Sequence, residues 1–489
     1  MNAAQREAAI FATKEKARAA SLEFFHDEYR KAYATVPVEG HRETWRVKSR
    51  DFRLWVMQTL YDLLQFAPPS KLVKECIEEF EMTAICRGER KNVYVRVAEH
   101  EGATYIDLCN DNWQAVEVTE DGWRVLDEPP VKFRRATGMT ALPIPVESGN
   151  IQEVSRFLNI QHESIVLLLS WLTFAFRTGP YPVLAISGVQ GAGKSTITRI
   201  LRALIDPSVA ELTTTPKSER DVAIAATNSH LIAMDNLSEI SPELSDIMCR
   251  VATGGSFRTR ELYTNDEEMI FTYRRPLAIN GIEELALRPD LLDRSILIHV
   301  KPIAQEQRRD EQTFRQEFDN LRPQIFGGLL SVLVAGLRKV KDVKLSQSPR
   351  MADFARWGVA VEESLGFKPG EFLSAYNANI EEAHFSALDA SPIANTLQAF
   401  LTEYGTFDGT ALRLLQLLTT YVEAHENGSQ KLVKKHPRFP KSANQLSAEL
   451  ARIEPNLNKR GIRVERGRTN RGRFIRLDYV FAVPKPQAA

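Results

Sequence analysis

Hydrophobic residues recur along this chain in changing rhythms, and the changes mark its parts. Over residues 1 to about 90 the spacing is mostly helical. A polar, charged first helix is predicted to about Tyr33, then an amphipathic stretch through Phe52, Trp55, Leu60 and Leu64. After Pro68-Pro69, Ser70 can cap a further helix running to about Arg87. Across residues 92–133 the period drops to two, in runs parted by turn signals such as Asn110-Asp111-Asn112 and Glu120-Asp121-Gly122, which predicts a small antiparallel β unit. Residues 143–149 read as a linker, and 150–178 return to helical spacing with a broad apolar face.

From there, short apolar runs at 182–186, 231–235, 277–280 and 296–300 alternate with helical segments, the pattern of an α/β core. The first run leads into Ser187-Gly188-Val189-Gln190-Gly191-Ala192-Gly193-Lys194-Ser195-Thr196, after which Ile197, Ile200, Leu201 and Leu204 fall at helical spacing. Strand, glycine loop, Gly-Lys-Ser and helix in this order are what a P-loop requires. Glycines at 188, 191 and 193 let successive backbone N–H groups face phosphate oxygens, together with those of Ala192 and the helix start through Thr196. Lys194 is typed to reach the β and γ phosphates of ATP, and the Ser195 hydroxyl to bind Mg2+.

The second and third runs end in polar residues. The second closes on Asp235-Asn236, where Asp235 suits a Walker B metal residue opposite Ser195. The third closes on Asn280 before Gly281; the amide could orient water or sense the γ phosphate, although Asn-Gly is also a turn signal. Ahead of the fourth lies Arg288-Pro289-Asp290-Leu291-Leu292-Asp293-Arg294. Arg294 is placed to act as a finger on a neighbouring subunit's ATP, or else as a salt-bridge partner of Asp290 or Asp293.

This order of motifs resembles the AAA+ core of the superfamily-three helicases of phages, DNA viruses, plasmids and integrated elements, most closely the poxvirus-type primase-helicase branch. Residues 249–263 look like that family's motif leading into a pore hairpin. The resemblance implies a ring, usually a hexamer, that threads single-stranded DNA and couples ATP hydrolysis to unwinding. Two positions depart from the family. Asn236 stands where a second acid is usual, so the catalytic base is open. The hairpin turn 265–268 is acidic, which leaves Arg258 and Arg260 as the candidate DNA contacts, unless the hairpin is merely solvated.

Helical spacing continues to about Ala387 as a lid or collar. Beyond a boundary near 390–392 the pattern predicts three helices and two strands flanking a turn at 467–472. That order resembles a winged helix-turn-helix, with Arg466, Arg468, Arg471 and Arg473 on the wing. Net charge is zero overall, yet 14 Lys or Arg stand against 4 acids between positions 431 and 478. Such an excess suits duplex DNA, with a protein-contacting basic domain as the alternative.

Composition adds bounds. A length of 489 residues predicts two to four domains, taken as 1–145, 146–305, 306–390 and 391–489. Hydrophobic content of 43% and charged content of 26% are those of a globular protein. No apolar run is long enough to span a bilayer, and the charged, Ala-rich N-terminus lacks a signal core, so a cytoplasmic protein without membrane contact is expected. Four scattered cysteines predict neither a zinc site nor disulfides.

The functional expectation is an ATP-dependent DNA helicase or translocase for a mobile element. A nucleotide-gated DNA-binding switch, such as a loader or defence sensor, is the second reading, and a small-molecule kinase the third.

Overall fold

The computed structural model describes residues 3–216, 218–237, 240–260, 268–281, 288–389, 391–424, 439–469 and 472–479. It is a mixed α/β chain with one parallel sheet and several antiparallel ones. Among these residues no helix is long and apolar enough to cross a membrane.

The N-terminal helical expectation holds only in part. Helix α1 (Ala3–Ala19) stops well short of Tyr33, and three antiparallel strands follow: β1 (Glu23–His26), β2 (Ala32–Val38) and β3 (His41–Arg46). Two turns override the helical spacing. Asp27 accepts from the backbone N–H of Tyr29 at 3.0 Å and of Lys31 at 2.8 Å, an Asx turn that reverses the chain. Glu39 and Gly40, both at positive φ, form the two-residue loop of the second hairpin. Helices α2 (Arg50–Leu64) and α3 (Ser70–Cys86) cover this sheet. Ser70 is the first helical residue rather than the cap, which is Pro69.

The two-residue period is realised as β4 (Glu89–Arg90), β5 (Val93–Tyr94), β6 (Val97–His100), β7 (Ala103–Asp107), β8 (Ala115–Val118), β9 (Trp123–Leu126) and β10 (Lys132–Phe133). Strands β6 to β9 form an antiparallel meander. The run 93–97 is not one strand: Arg96 takes φ +64 and breaks it. The expected linker is also docked. Gly327 lies so close to it that a Cβ there would meet the Val146 carbonyl at 1.8 Å, and the Val146 N–H bonds to the Pro323 carbonyl.

A 3-10 helix (Ile151–Phe157) and α4 (His162–Phe174) precede the parallel sheet; α4 is buried around nearly its whole circumference from Val166 on. The sheet is built from β11 (Val183–Ser187), β12 (Ile232–Leu237), β15 (Leu277–Gly281) and β16 (Ser295–His299), in spatial order β12-β15-β11-β16. Between them run α5 (Lys194–Ile205), α6 (Glu219–Asn228), α7 (Pro242–Thr253), the hairpin β13 (Gly255–Arg260) and β14 (Glu268–Tyr273), and the short α8 (Pro289–Leu292). Thr213 adds a one-residue parallel bridge outside β12, where a fifth strand would lie. All strands point the same way, so their C-terminal ends share one edge, where ligands of open α/β sheets bind.

Helices α9 (Glu311–Lys339), α10 (Ala352–Val361) and α11 (Glu371–Asp389) follow. One hydrophobic core runs from Ile106 and Val116 of the meander through Leu201 of α5 and Phe326 of α9 to Phe372 of α11. The C-terminal part has its own core, in the order α12 (Pro392–Tyr404), β17 (Thr406–Gly409), α13 (Ala411–Ala424), α14 (Ala443–Lys459), β18 (Ile462–Thr469) and β19 (Gly472–Tyr479). Strand β17 was not expected; it is four residues long and pairs with β19. The hairpin tip 261–267 and Arg471 lie outside the described residues.

Candidate functional site

The glycine loop joins β11 to α5 at the C-terminal edge of the parallel sheet. Gly188, Gly191 and Gly193 all have positive φ, at 152°, 77° and 95°. At Gly188 a Cβ would stand 2.6 Å from the Val300 carbonyl, so only glycine lets the loop close against β16. Gly193 is the N-cap of α5, and no side chain answers its first free N–H groups. Free N–H groups at a helix start attract anions.

Lys194 folds back over this loop, its Nζ donating to the carbonyls of Gly188 at 2.8 Å and Val189 at 2.9 Å. Burial lowers its pKa, with Asp235 acting against the shift. Neutral carbonyls are weak partners for an ammonium group, so phosphate oxygens would compete well for it. Ser195 Oγ donates to Asp235 Oδ1 at 2.7 Å. The two groups assigned to one Mg2+ from sequence therefore stand in contact, as a hydroxyl and carboxylate sharing an oxygen-loving cation require. A glycine cradle, a lysine and this oxygen pair fit a magnesium nucleotide.

Asp235 and Asn236 sit in a bulge, where the register between β12 and β15 shifts between Met234 and Leu237. A bulge re-aims side chains, here turning Asp235 toward Ser195. Asn236 is exposed at φ +56, a left-handed conformation that Asn tolerates better than Glu. Asn280 is 1% exposed and engaged at both ends. Its Oδ1 accepts from the Asn236 N–H at 3.0 Å and its Nδ2 donates to Thr198 Oγ1 at 2.9 Å. Thr198 in turn donates to the Lys194 carbonyl at 3.0 Å. Thr198 carried no sequence signal beyond its place four residues after Lys194 on α5.

Arg294 lies elsewhere. It precedes β16, whose Ser295 pairs with Val183 while His299 pairs with Ser187, so it stands at the opposite end of the strands from the loop. Five residues of strand separate them, about 16 Å. Within the chain its Nη1 donates to the Asp290 carbonyl at 2.7 Å and also to the Asp290 carboxylate, which Arg350 meets at 3.0 Å. It cannot reach the glycine-loop end of its own chain.

A cavity of about 630 Å³ opens beside Ala192, Gly193 and Thr196. Phe157, Phe314 and Ile303 wall it, with Arg309 among its basic residues. Phe157 meets Phe314 edge to face at 5.2 Å, and the Arg309 guanidinium lies 5.2 Å from the Phe314 ring. Sequence reading missed this cavity because its walls come from the 3-10 helix, α5 and α9, far apart in the chain.

At the candidate DNA surfaces, Arg258 and Arg260 lie on β13 opposite Ile270 and Glu268. On the C-terminal hairpin Arg466 pairs with Glu454. Arg468 and Arg473 are exposed and directly opposite each other across β18 and β19. Like charges in facing positions destabilise a hairpin unless an anion lies across them.

Two family models match the chain. Residues 150–384 match that described as the actinomycete integrative conjugative element replication protein, and residues 393–487 match the AICE RepA C-terminal domain. The chain is linked to the replication proteins of mobile integrative conjugative elements. Among solved structures, "The apo structure of NrS-1 C terminal region (305-718)" shares 13% identity at a TM-score of 0.39, covering 97% of this chain and 99% of that one. "The A form apo structure of NrS-1 C terminal region-CTR" shares 13% at a TM-score of 0.41, covering 97% and 100%. A search of curated proteins finds no match.

Proposed function

We propose that this mobile-element replication protein is an ATP-dependent DNA helicase or translocase, with a P-loop AAA+ core and a C-terminal winged helix-turn-helix. The observation that carries the reading is the Ser195–Asp235 hydrogen bond at 2.7 Å, formed next to a glycine cradle and Lys194. ATP with Mg2+, when bound, supplies the phosphoanhydride and the charge-neutralising ion. The loop N–H groups and Lys194 then hold the β and γ phosphate oxygens, Ser195 and Asp235 hold the ion, and the base lies in the cavity by Phe157 and Phe314.

Arg294 belongs to this scheme only in an assembly, where it completes the neighbouring pocket. The strand order β12-β15-β11-β16 supports an AAA+ core, and the order helix, strand, helix, helix, strand, strand supports a winged helix. Arg258, Arg260, Arg466, Arg468, Arg471 and Arg473 are the proposed DNA contacts, the first two on single-stranded and the rest on duplex DNA.

The test is magnesium-dependent ATP turnover with and without single-stranded DNA, together with opening of a forked duplex. Turnover stimulated by DNA and abolished in Lys194→Ala is expected; hydrolysis that survives Lys194→Ala removes the assignment. A second reading is favoured by Asn236, whose amide cannot accept a proton as an acid can. In it the chain is a nucleotide-gated DNA-binding switch with slow turnover, and nucleotide-dependent DNA binding without strand opening is the result that selects it.

A further inference from the structure

Helix α5 and strand β12 are clamped to each other at both ends. At one end stands the Ser195–Asp235 bond. At the other, Asp206 is the C-cap residue of α5, and its fully buried carboxylate accepts from the backbone N–H groups of His230 at 2.8 Å and Leu231 at 3.2 Å, at the start of β12. The spans agree: twelve helical residues rise about 18 Å, and the strand from 230 to 235 about 17 Å.

The far clamp is completed from outside the parallel sheet. Arg96, in the break between β5 and β6, is fully buried. Its Nε donates to Asp206 Oδ1 at 2.9 Å, and the rest of the guanidinium is fixed by the carbonyls of Asp107, Thr140 and Pro207. The left-handed φ of Arg96 aims the side chain inward, out of the alternation of the strands. Burial would raise the Asp206 carboxyl, but Arg96 and Arg202 hold it below the usual carboxylate range. A second grip lies close by: Arg134, just after β10, donates to the Thr227 carbonyl at 2.8 Å and to Asn228 Oδ1 at 3.2 Å. The turn that feeds β12 is thus held twice by residues from the N-terminal β unit.

We propose that Arg96 is a positioning residue which, through Asp206, sets the spacing of Ser195 and Asp235 and makes the N-terminal β unit a working part of the nucleotide site. This rests on the magnesium-nucleotide reading above. Arg202 Nη1 is the fourth donor to this carboxylate, at 3.2 Å. A carboxylate with four donors in a buried place has one arrangement, so losing the Arg96 guanidinium fork lets the end of α5 shift against β12. The shift is felt at the other end, where a hydroxyl and a carboxylate must meet one cation.

The experiment compares wild type with Arg96→Lys, which keeps the charge and loses the fork, and with Asp206→Asn should Arg96→Lys not fold. Amide exchange at residues 230 and 231 and the Mg2+ concentration for half-maximal ATP turnover are both measured. Faster exchange at these amides and a Mg2+ requirement raised about tenfold are expected, with metal-free binding of a fluorescent ATP analogue unchanged. Faster exchange with an unaltered Mg2+ requirement leaves Arg96 merely structural and overturns the proposal, as does unchanged exchange. A wild type that neither binds nor hydrolyses magnesium ATP brings down the underlying reading and this one with it; an active wild type matched by both variants brings down this one alone.

Discussion

The backbone N–H of Asn236 donates to Asn280 Oδ1 at 3.0 Å, and this bond pins the left-handed turn next to Asp235. At position 236 the backbone conformation, rather than the side chain, is therefore the first requirement. Glycine keeps that conformation; a β-branched residue does not.

Asn236→Gly should accordingly retain ATP turnover within about threefold, whereas Asn236→Val should lose about 1–2 kcal/mol of stability and most turnover. Urea unfolding and steady-state hydrolysis measure the two. Equal loss in both variants would show that the amide itself does the chemistry.

Arg294 is held by Asp290 one helical turn back and stands at the far end of the strands from its own glycine loop. In the proposed assembly it acts in trans. Mixing Arg294→Ala subunits with Lys194→Ala subunits should restore part of the turnover, because a Lys194→Ala subunit still offers its Arg294 to the intact pocket of an Arg294→Ala neighbour. Full turnover by Arg294→Ala alone would eliminate the finger.

The facing pair Arg468 and Arg473 has no ion-pair partner among the described residues, in contrast to Arg466 and Arg476, which meet Glu454 and Asp408. Replacing both with Ala should lower the slope of log K against log salt for duplex binding by about 2, one phosphate per arginine. Duplex titrations from low to moderate salt give that slope, and an unchanged value would place the DNA elsewhere.

His230 reports on acid sensitivity. Burial pushes its imidazole down from 6.5 to about 4, with the Arg275 charge acting the same way, and one ring nitrogen meets the Ala175 carbonyl at 2.6 Å. Between these values the unfolded chain takes up a proton that the folded protein refuses. The stability this group contributes is therefore complete above about pH 6.5 and declines as pH falls, by about 2 kcal/mol at pH 5. Denaturant unfolding of wild type and His230→Gln at pH 7 and pH 5 measures it; the variant should show a loss smaller by that amount.

The sequence by itself determined the local pieces whose physics is local. The Gly188 to Thr196 loop, the apolar runs ending in Asp235 and Asn280, the amphipathic face of α5 and the basic C-terminal hairpin were all legible, because glycine spacing, burial period and charge are written in neighbouring residues. The strands β1 to β3 were hidden in a helical rhythm, since two turns outweighed periodicity there.

Tertiary structure decided what lies between the pieces. The contact of Ser195 with Asp235 spans 40 positions, and that of Arg96 with Asp206 spans 110. No periodicity encodes either, because each depends on how a helix and a strand of equal length come to lie side by side. The left-handed backbone of Arg96 and Asn236 belongs to the same class: only the surrounding hydrogen bonds make such a conformation stable.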